Sequence, residues 1–214
     1  VGHSHYSYDF VFAVAGFSLS LQGGMIILIL VCLIAFLFQN KKLPAKQKWF
    51  IAAGLLYISV SWGLMVNLRN WGHFDYSREF WNKALPLGLV FSIWINDTMA
   101  YLVGSLIGKT PFSKISPKKT WEGTLGGIIL CIIVISLVFY YWWEIFSLKD
   151  WMAISFLAAI TGTFGDLLES KLKRMAGVKD SGSIMPGHGG FLDRFDSMLL
   201  ATPAVWIYVQ LFLW

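Results

Sequence analysis

The sequence predicts an all-α polytopic membrane bundle of about six transmembrane helices, and three observations carry that expectation. First, 57% of the 214 residues are hydrophobic and only 14% are charged, whereas an average soluble domain has roughly 45–50% apolar and about 25% charged residues. With a mean hydropathy of +0.62, the chain lacks the charge to cover a solvated surface. That excludes a soluble domain, a disordered chain and a disulfide-stapled secreted scaffold. Second, the apolar residues fall in runs of the ~20 residues a helical span requires; six spans use about 120 residues and leave only short loops. One membrane-embedded domain, 1–214, is therefore expected. Third, no run alternates as a membrane β-barrel strand must.

Taken in order, the apolar runs cover 19–38, 48–66, 84–107, 123–146, 151–170 and 197–214. Residues 10–18 either extend the first run or form a separate element broken at Gln22-Gly23-Gly24. Cys32 and Cys131 lie inside apolar runs, with no metal or redox spacing around them, and read as space-filling. Trp49, Trp71, Trp81, Trp121, Trp142, Trp143, Trp151 and Trp214 fall near run ends, where amphipathic rings favour the headgroup level. The chain starts at Val1 without a methionine, so further N-terminal sequence is expected, and residues 1–18 lack the basic start of a signal peptide.

Lys and Arg set the orientation. Connections 39–48, 108–122 and 171–196 together hold 13 of the 17 basic residues, leaving Arg69, Arg78, Lys83 and Lys149 for the other side. The positive-inside rule makes the first side cytoplasmic and turns the C-terminus away from it. A net charge of +5 suits a protein that faces anionic lipid or an anionic substrate. Nucleic acid is not an expected partner, because the basic residues are divided among loops.

Carboxylates mark the chemistry. Asp97 lies within the third run, and Asp166 and Glu169 near the cytoplasmic end of the fifth. An ionised group at the bilayer centre costs ~2.5–3.5 kcal/mol even on the lenient insertion scale, so these residues should face protein or water. Positions 166, 169, 170 and 173 share one helical face, which points two carboxylates and Lys173 at the cytoplasmic mouth. Asp97, Tyr101, Gly104 and Gly108 share another, and Gly104 and Gly108 form a small-xxx-small pair for close helix approach. Gly108-Lys109-Thr110 is not a P-loop, because the earlier glycine is replaced by Val103 and no strand precedes it. The lysines of the loop 114–123, Lys118 and Lys119 among them, suit anionic headgroups or a phosphate-bearing substrate.

The densest region runs from Lys179 to Asp196. Gly187, Gly189 and Gly190 free the backbone to approach an anion. Asp193 and Asp196 follow at a spacing that projects two carboxylates from one helix start. Oxygen ligands of this kind suit Mg²⁺, which binds through one or two carboxylates plus substrate phosphates, and Lys179 and Arg194 suit phosphate charge. No serine or cysteine nucleophile with its own base stands out, and His188 lacks partners for zinc. The inventory points to metal-assisted phosphoryl or nucleotidyl transfer.

Those residues also resemble a known family. Ser170-Lys171-Leu172-Lys173-Arg174, then Lys179-Asp180, then Pro186-Gly187-His188-Gly189-Gly190-Phe191-Leu192-Asp193-Arg194-Phe195-Asp196 is similar to the signature of the phosphatidate cytidylyltransferases, or CDP-diacylglycerol synthases. Asn96-Asp97 and Ser116-Pro117-Lys118-Lys119-Thr120-Trp121-Glu122-Gly123 are also similar, so the resemblance covers about residues 84–214. Met185 departs from the usual Leu, Ile or Phe, and family members normally begin with further membrane helices. The resemblance implies CTP + phosphatidate → CDP-diacylglycerol + pyrophosphate, with Mg²⁺ and room for a second cation such as K⁺. It implies Asp166 and Asp193 as metal ligands, and Lys173, Lys179 and Arg194 as further catalytic groups. Asn96, Asp97, Lys118, Lys119, Arg174, Asp180, His188, Gly189, Gly190 and Asp196 would bind substrate. A homodimer in a bacterial inner membrane, with its site facing the cytoplasm, is the expected setting. A CTP-dependent polyprenol kinase and an ion-coupled transporter using Asp97 and Asp166 are the alternatives; the signature weighs against the first, and the lack of an inverted repeat against the second.

Overall fold

A computed structural model describes residues 12–14, 17–19, 30–36, 38–39, 43–69, 83–113, 115–143, 145–182, 190 and 192–213. Strands β1 (Phe12–Val14) and β2 (Phe17–Leu19) form an antiparallel pair, with Phe12 opposite Leu19. Three residues are far short of the ~9–11 that a membrane-spanning strand needs, so the spans remain helical. Helix α1 is described over 30–36 and 38–39, within the first apolar run, most of which lies outside the described residues. The other five runs are helices: α2 (Ala45–Arg69), α3 (Ala84–Ile107), α4 (Trp121–Trp143), α5 (Leu148–Met175) and α6 (Leu192–Phe212). All five are long and apolar enough to cross a membrane.

Two compact units divide the chain, Val1–Ser59 and Val60–Trp214. In the first, Lys48 Nζ donates to the Phe38 carbonyl at 2.8 Å and Trp49 packs edge-on against Phe38 at 5.0 Å. In the second, α3 packs most extensively on α4 and α5 on α6, with α5 also against α4 and α3.

Small residues set the α3–α4 approach. A Cβ on Gly123 would stand 2.6 Å from the Ala100 carbonyl, and one on Gly127 would stand 2.8 Å from the Asn96 carbonyl. The backbones meet there with nothing between them, the arrangement lipid-embedded helices favour. Gly104 takes part in this close approach, as expected, with Gly123 Cα 3.5 Å from where its Cβ would stand. Gly108 instead closes α3, its N–H donating to the Gly104 carbonyl at 3.0 Å.

Pro203 interrupts α6. Having no N–H, it leaves the Leu199 carbonyl without its helical donor, and Ser61 Oγ on α2 supplies one at 2.6 Å. Trp206 Nε1 donates to Asn67 Oδ1 at 2.7 Å, a second polar tie between these elements.

Two tryptophans correct the sequence reading. Trp151 and Trp143 are 0% and 5% exposed and belong to the core rather than to the headgroup level. Trp151 packs against Phe139 and Phe146, and a Cβ on Gly88 would stand 2.7 Å from its ring. Trp143 stacks on Phe139 at 4.7 Å. Trp49, Trp121 and Trp142 are exposed as anchors should be, while Trp71, Trp81 and Trp214 lie outside the described residues.

At 28 residues, α5 is ~42 Å long at 1.5 Å per residue, against a hydrocarbon core of ~30 Å. Its ends therefore reach headgroup level. Ser147 and Asp150 form a reciprocal capping box at the start. At the finish, Gly177 takes φ 72°, while Gly177 N–H and Val178 N–H donate to the carbonyls of Arg174 and Lys173. This is the Schellman arrangement, which glycine adopts without steric cost. It stops the helix directly after its charged turn.

Candidate active site

The C-terminal turns of α5 are the meeting point of two groups of polar side chains. The first lines a cavity of ≈ 450 Å³ bounded by α3, the 108–120 turn, the start of α4 and α5. Asn96, Asp97, Tyr101 and Gly104 come from α3, Ser116, Lys118 and Lys119 from the turn, Thr120 and Thr124 from the α4 start, and Thr163 and Asp166 from α5. Lys119 forms an ion pair with Asp166 across the cavity, and Asp97 interacts electrostatically with Lys119, Asp166 and Asp196. Asn96 is buried and donates to Thr163 Oγ1 at 3.2 Å, which leaves Asn96 Oδ1 without a hydrogen-bond partner.

The second group joins α5 to α6. Lys173 Nζ donates to Asp193 Oδ1 at 2.6 Å and lies 3.5 Å from Glu169 Oε1. Asp193 Oδ2 accepts Ser181 N–H at 2.8 Å, Ser181 Oγ at 2.8 Å and Gly190 N–H at 2.7 Å. One carboxylate thus holds the end of α5, the segment after it and the approach to α6. Gly165 lets α6 come this close, since a Cβ there would stand 2.7 Å from the Asp196 carbonyl. Asp196 has Glu169 and Asp166 as its electrostatic neighbours, which links the two groups.

The charge balance is uneven. Asp97, Asp166, Glu169, Asp193 and Asp196 are connected through these contacts, and the lysines in direct contact are Lys119 and Lys173. Glu169 is 6% exposed, and neither of its carboxylate oxygens has a hydrogen-bond donor. A buried carboxylate in that condition carries a desolvation cost that a cation or proton offsets. Hard oxygen donors in excess of local positive charge are what Mg²⁺ takes, so the residues fit the ion. Among the described residues, no three carboxylate, histidine or cysteine side chains converge as a preformed metal site.

Of the residues expected from the sequence, the fold brings Asn96, Asp97, Lys118, Lys119 and Asp166 to the cavity, and Lys173, Asp193, Asp196 and Gly190 to the adjoining group. Arg174, Lys179, Asp180 and Arg194 are exposed and do not line the cavity. His188 and Gly189 lie outside the described residues. Several contributors were not among the expected site residues, with Ser116, Thr120, Thr124 and Thr163 lining the cavity and Ser181 and Glu122 beside it. Thr163 sits one turn before Asp166, a spacing that could have flagged it. Ser181 follows Lys179-Asp180 and gives no signal of its own. Glu122 accepts the Lys109 and Thr110 amides at 3.2 Å each and the Thr110 hydroxyl at 2.8 Å.

A family model described as the cytidylyltransferase family matches residues 5–212. Phosphatidate cytidylyltransferase of Bacillus subtilis (strain 168) is 35% identical over 172 residues, covering 76% of this chain and 58% of the relative. Phosphatidate cytidylyltransferase 4, chloroplastic, of Arabidopsis thaliana is 42% identical over 144 residues, covering 66% of this chain and 37% of the relative. Phosphatidate cytidylyltransferase of Staphylococcus haemolyticus (strain JCSC1435) is 46% identical over 114 residues, or 52% and 43%. The matched segments span 37–58% of these relatives' own lengths.

Proposed function

The chain belongs to the cytidylyltransferase family, and from that premise we propose that it forms the catalytic part of a membrane enzyme making CDP-diacylglycerol and pyrophosphate from CTP and phosphatidate. In this reaction a phosphate oxygen of the lipid attacks the α-phosphorus of CTP, and the bond to the departing pyrophosphate breaks. A phosphate oxyanion is already a nucleophile, so the reaction needs no side-chain nucleophile paired to a base. The residues are left with positioning and charge neutralisation, which dominate such transfers.

The observation that carries the reading is the cavity itself, where Lys118 and Lys119 stand opposite Asp97 and Asp166 at the end of α5. Lysines neutralise the phosphates; carboxylates orient those lysines and hold the cation. We assign Asp166 and Asp193 as the carboxylates that hold Mg²⁺, with Glu169 and Asp196 beside them. When bound, the ion supplies charge neutralisation to the triphosphate and its leaving group. A second cation such as K⁺ and a homodimeric assembly belong to the same proposal. In this proposal Lys173, Arg174, Lys179 and Arg194 are divided between the two anionic substrates.

The placement suits one lipid and one water-soluble substrate. Lipid phosphate lies at headgroup level, where α5 ends, and the basic connections make that side cytoplasmic by the positive-inside rule. The test uses the full-length protein in detergent with phosphatidate, labelled CTP and Mg²⁺. CDP-diacylglycerol and pyrophosphate should appear in equal amounts and only with the lipid present. Release of CDP with a phosphorylated alcohol would establish the kinase alternative instead, and the absence of any nucleotide product would sink the reading.

A further inference from the structure

Glu122 lies in the first turn of α4 and outside the cavity lining. Its Oε2 accepts the backbone N–H groups of Lys109 and Thr110, and its Oε1 accepts the Thr110 hydroxyl. Bonds from neutral donors to an ionised carboxylate are among the stronger hydrogen bonds, and a negative charge is favourable at a helix N-terminus. The two legs of the turn are tied above this point. Trp121 N–H donates to the Thr110 carbonyl at 3.0 Å, Phe112 N–H donates to the Lys119 carbonyl at 2.7 Å, and Pro111 is bridged to Thr120. Phe112 and Trp121 meet edge-on at 4.4 Å. Beyond these ties lies the tip, which carries Ser116, Lys118 and Lys119 into the cavity.

We propose that Glu122 is a positioning residue, whose carboxylate clamps the base of the 108–120 turn and thereby holds Lys118 and Lys119 where they meet a phosphate of the substrate. The inference rests on the cytidylyltransferase reading of the cavity. The clamp needs both carboxylate oxygens, since one takes two amides and the other a hydroxyl. Glutamine offers a single acceptor oxygen and can replace only part of it; alanine replaces none. The ligand chemistry is a phosphate group, which both CTP and phosphatidate carry.

Steady-state kinetics of the full-length protein separate this role from a merely structural one. Glu122→Ala should raise KM about tenfold for the substrate whose phosphate the lysines hold, while kcat falls less than about threefold. Measuring KM for CTP and for phosphatidate separately shows which phosphate that is. Glu122→Gln and Thr110→Val, each removing part of the clamp, should fall between wild type and Glu122→Ala. In a Lys118→Ala/Lys119→Ala background, Glu122→Ala should add nothing, because the lysines are what it acts through. Unchanged KM values, or an additive effect in that background, overturn the proposal. A readout independent of turnover completes the test. Ser116→Cys, alkylated by a maleimide and followed by mass spectrometry, should react faster when Glu122→Ala is added, and an equal rate overturns the clamp. Failure of the underlying reading shows differently, as a wild-type protein that forms no CDP-diacylglycerol.

Discussion

The two ends of α5 both carry charge, and they treat it in opposite ways. At the N-terminal end, Asp150 accepts from Ser147 N–H at 3.1 Å, Ser147 Oγ at 2.6 Å and Tyr208 Oη at 3.1 Å. Its oxygens are occupied by neutral donors, and the aromatic cluster around Trp151 packs beside it. At the C-terminal end, Asp166 pairs with Lys119 and accepts from Ser170 Oγ at 3.3 Å, while Glu169 is buried without a hydrogen bond, 3.5 Å from Lys173 Nζ. A carboxylate whose acceptors are filled by neutral donors alone, as at Asp150, is holding a helix end. Carboxylates that crowd together around lysines form a charged cluster that an anionic substrate and its cation can enter. Position in the membrane does not separate the two cases, since both ends reach headgroup level. The charge of their partners does.

The comparison can be broken by substitutions at either end, and the largest effect is expected at the site. Asp166→Asn should cost about 10²–10³ in kcat, the range seen when a group that stabilises developing charge is removed, and should leave the melting temperature near wild type. A loss of folded protein that matches the loss of activity would move Asp166 to the structural class. Next comes the packing that brings α3 to the cavity. Gly127→Val places a side chain where a Cβ already stands 2.8 Å from backbone, so about 1–3 kcal/mol of stability should be lost to overpacking. A variant as stable as wild type in a detergent melt would refute the close α3–α4 seam.

Smaller effects are expected away from the site. Ser61→Ala leaves the Leu199 carbonyl opposite Pro203 without a donor, at a cost of about 1 kcal/mol; no change in unfolding would mean another donor takes over. Asp150→Ala removes the capping box and should cost about 0.5–1 kcal/mol, with kcat and both KM values unchanged. A kinetic defect in that variant would erase the contrast between the two ends.

Much of this was legible in the sequence because membrane burial leaves so few options. Five apolar runs became helices within a few residues of their expected ends. The face formed by positions 166, 169 and 173 follows from helical periodicity alone, and α6 then supplies Asp193 and Asp196 to it. Trp143 and Trp151 misled because an aromatic ring at a run end reads the same whether it meets lipid headgroups or a glycine on a neighbouring helix. Only Gly88, more than 60 residues before Trp151, decides the matter. The Glu122 clamp was hidden for a related reason, since it joins positions 12 and 13 residues apart through a turn with no periodic signature. Asp193 was legible as an acid at a helix start. Its hold on Ser181 and Gly190 depends on how the chain folds back, which spacing does not encode.

The central claim is that the carboxylates clustered with lysines at the C-terminal end of α5 do the chemistry while the one capped by neutral donors at the other end does not. The most direct measurement is the rate of CDP-diacylglycerol formation by Asp166→Asn and Asp150→Asn, prepared side by side in the full-length protein. Asp150→Asn should keep the wild-type rate to within about twofold, and Asp166→Asn should fall about a hundredfold or more below it. Equal rates in the two variants, whether both retained or both lost, would contradict the account.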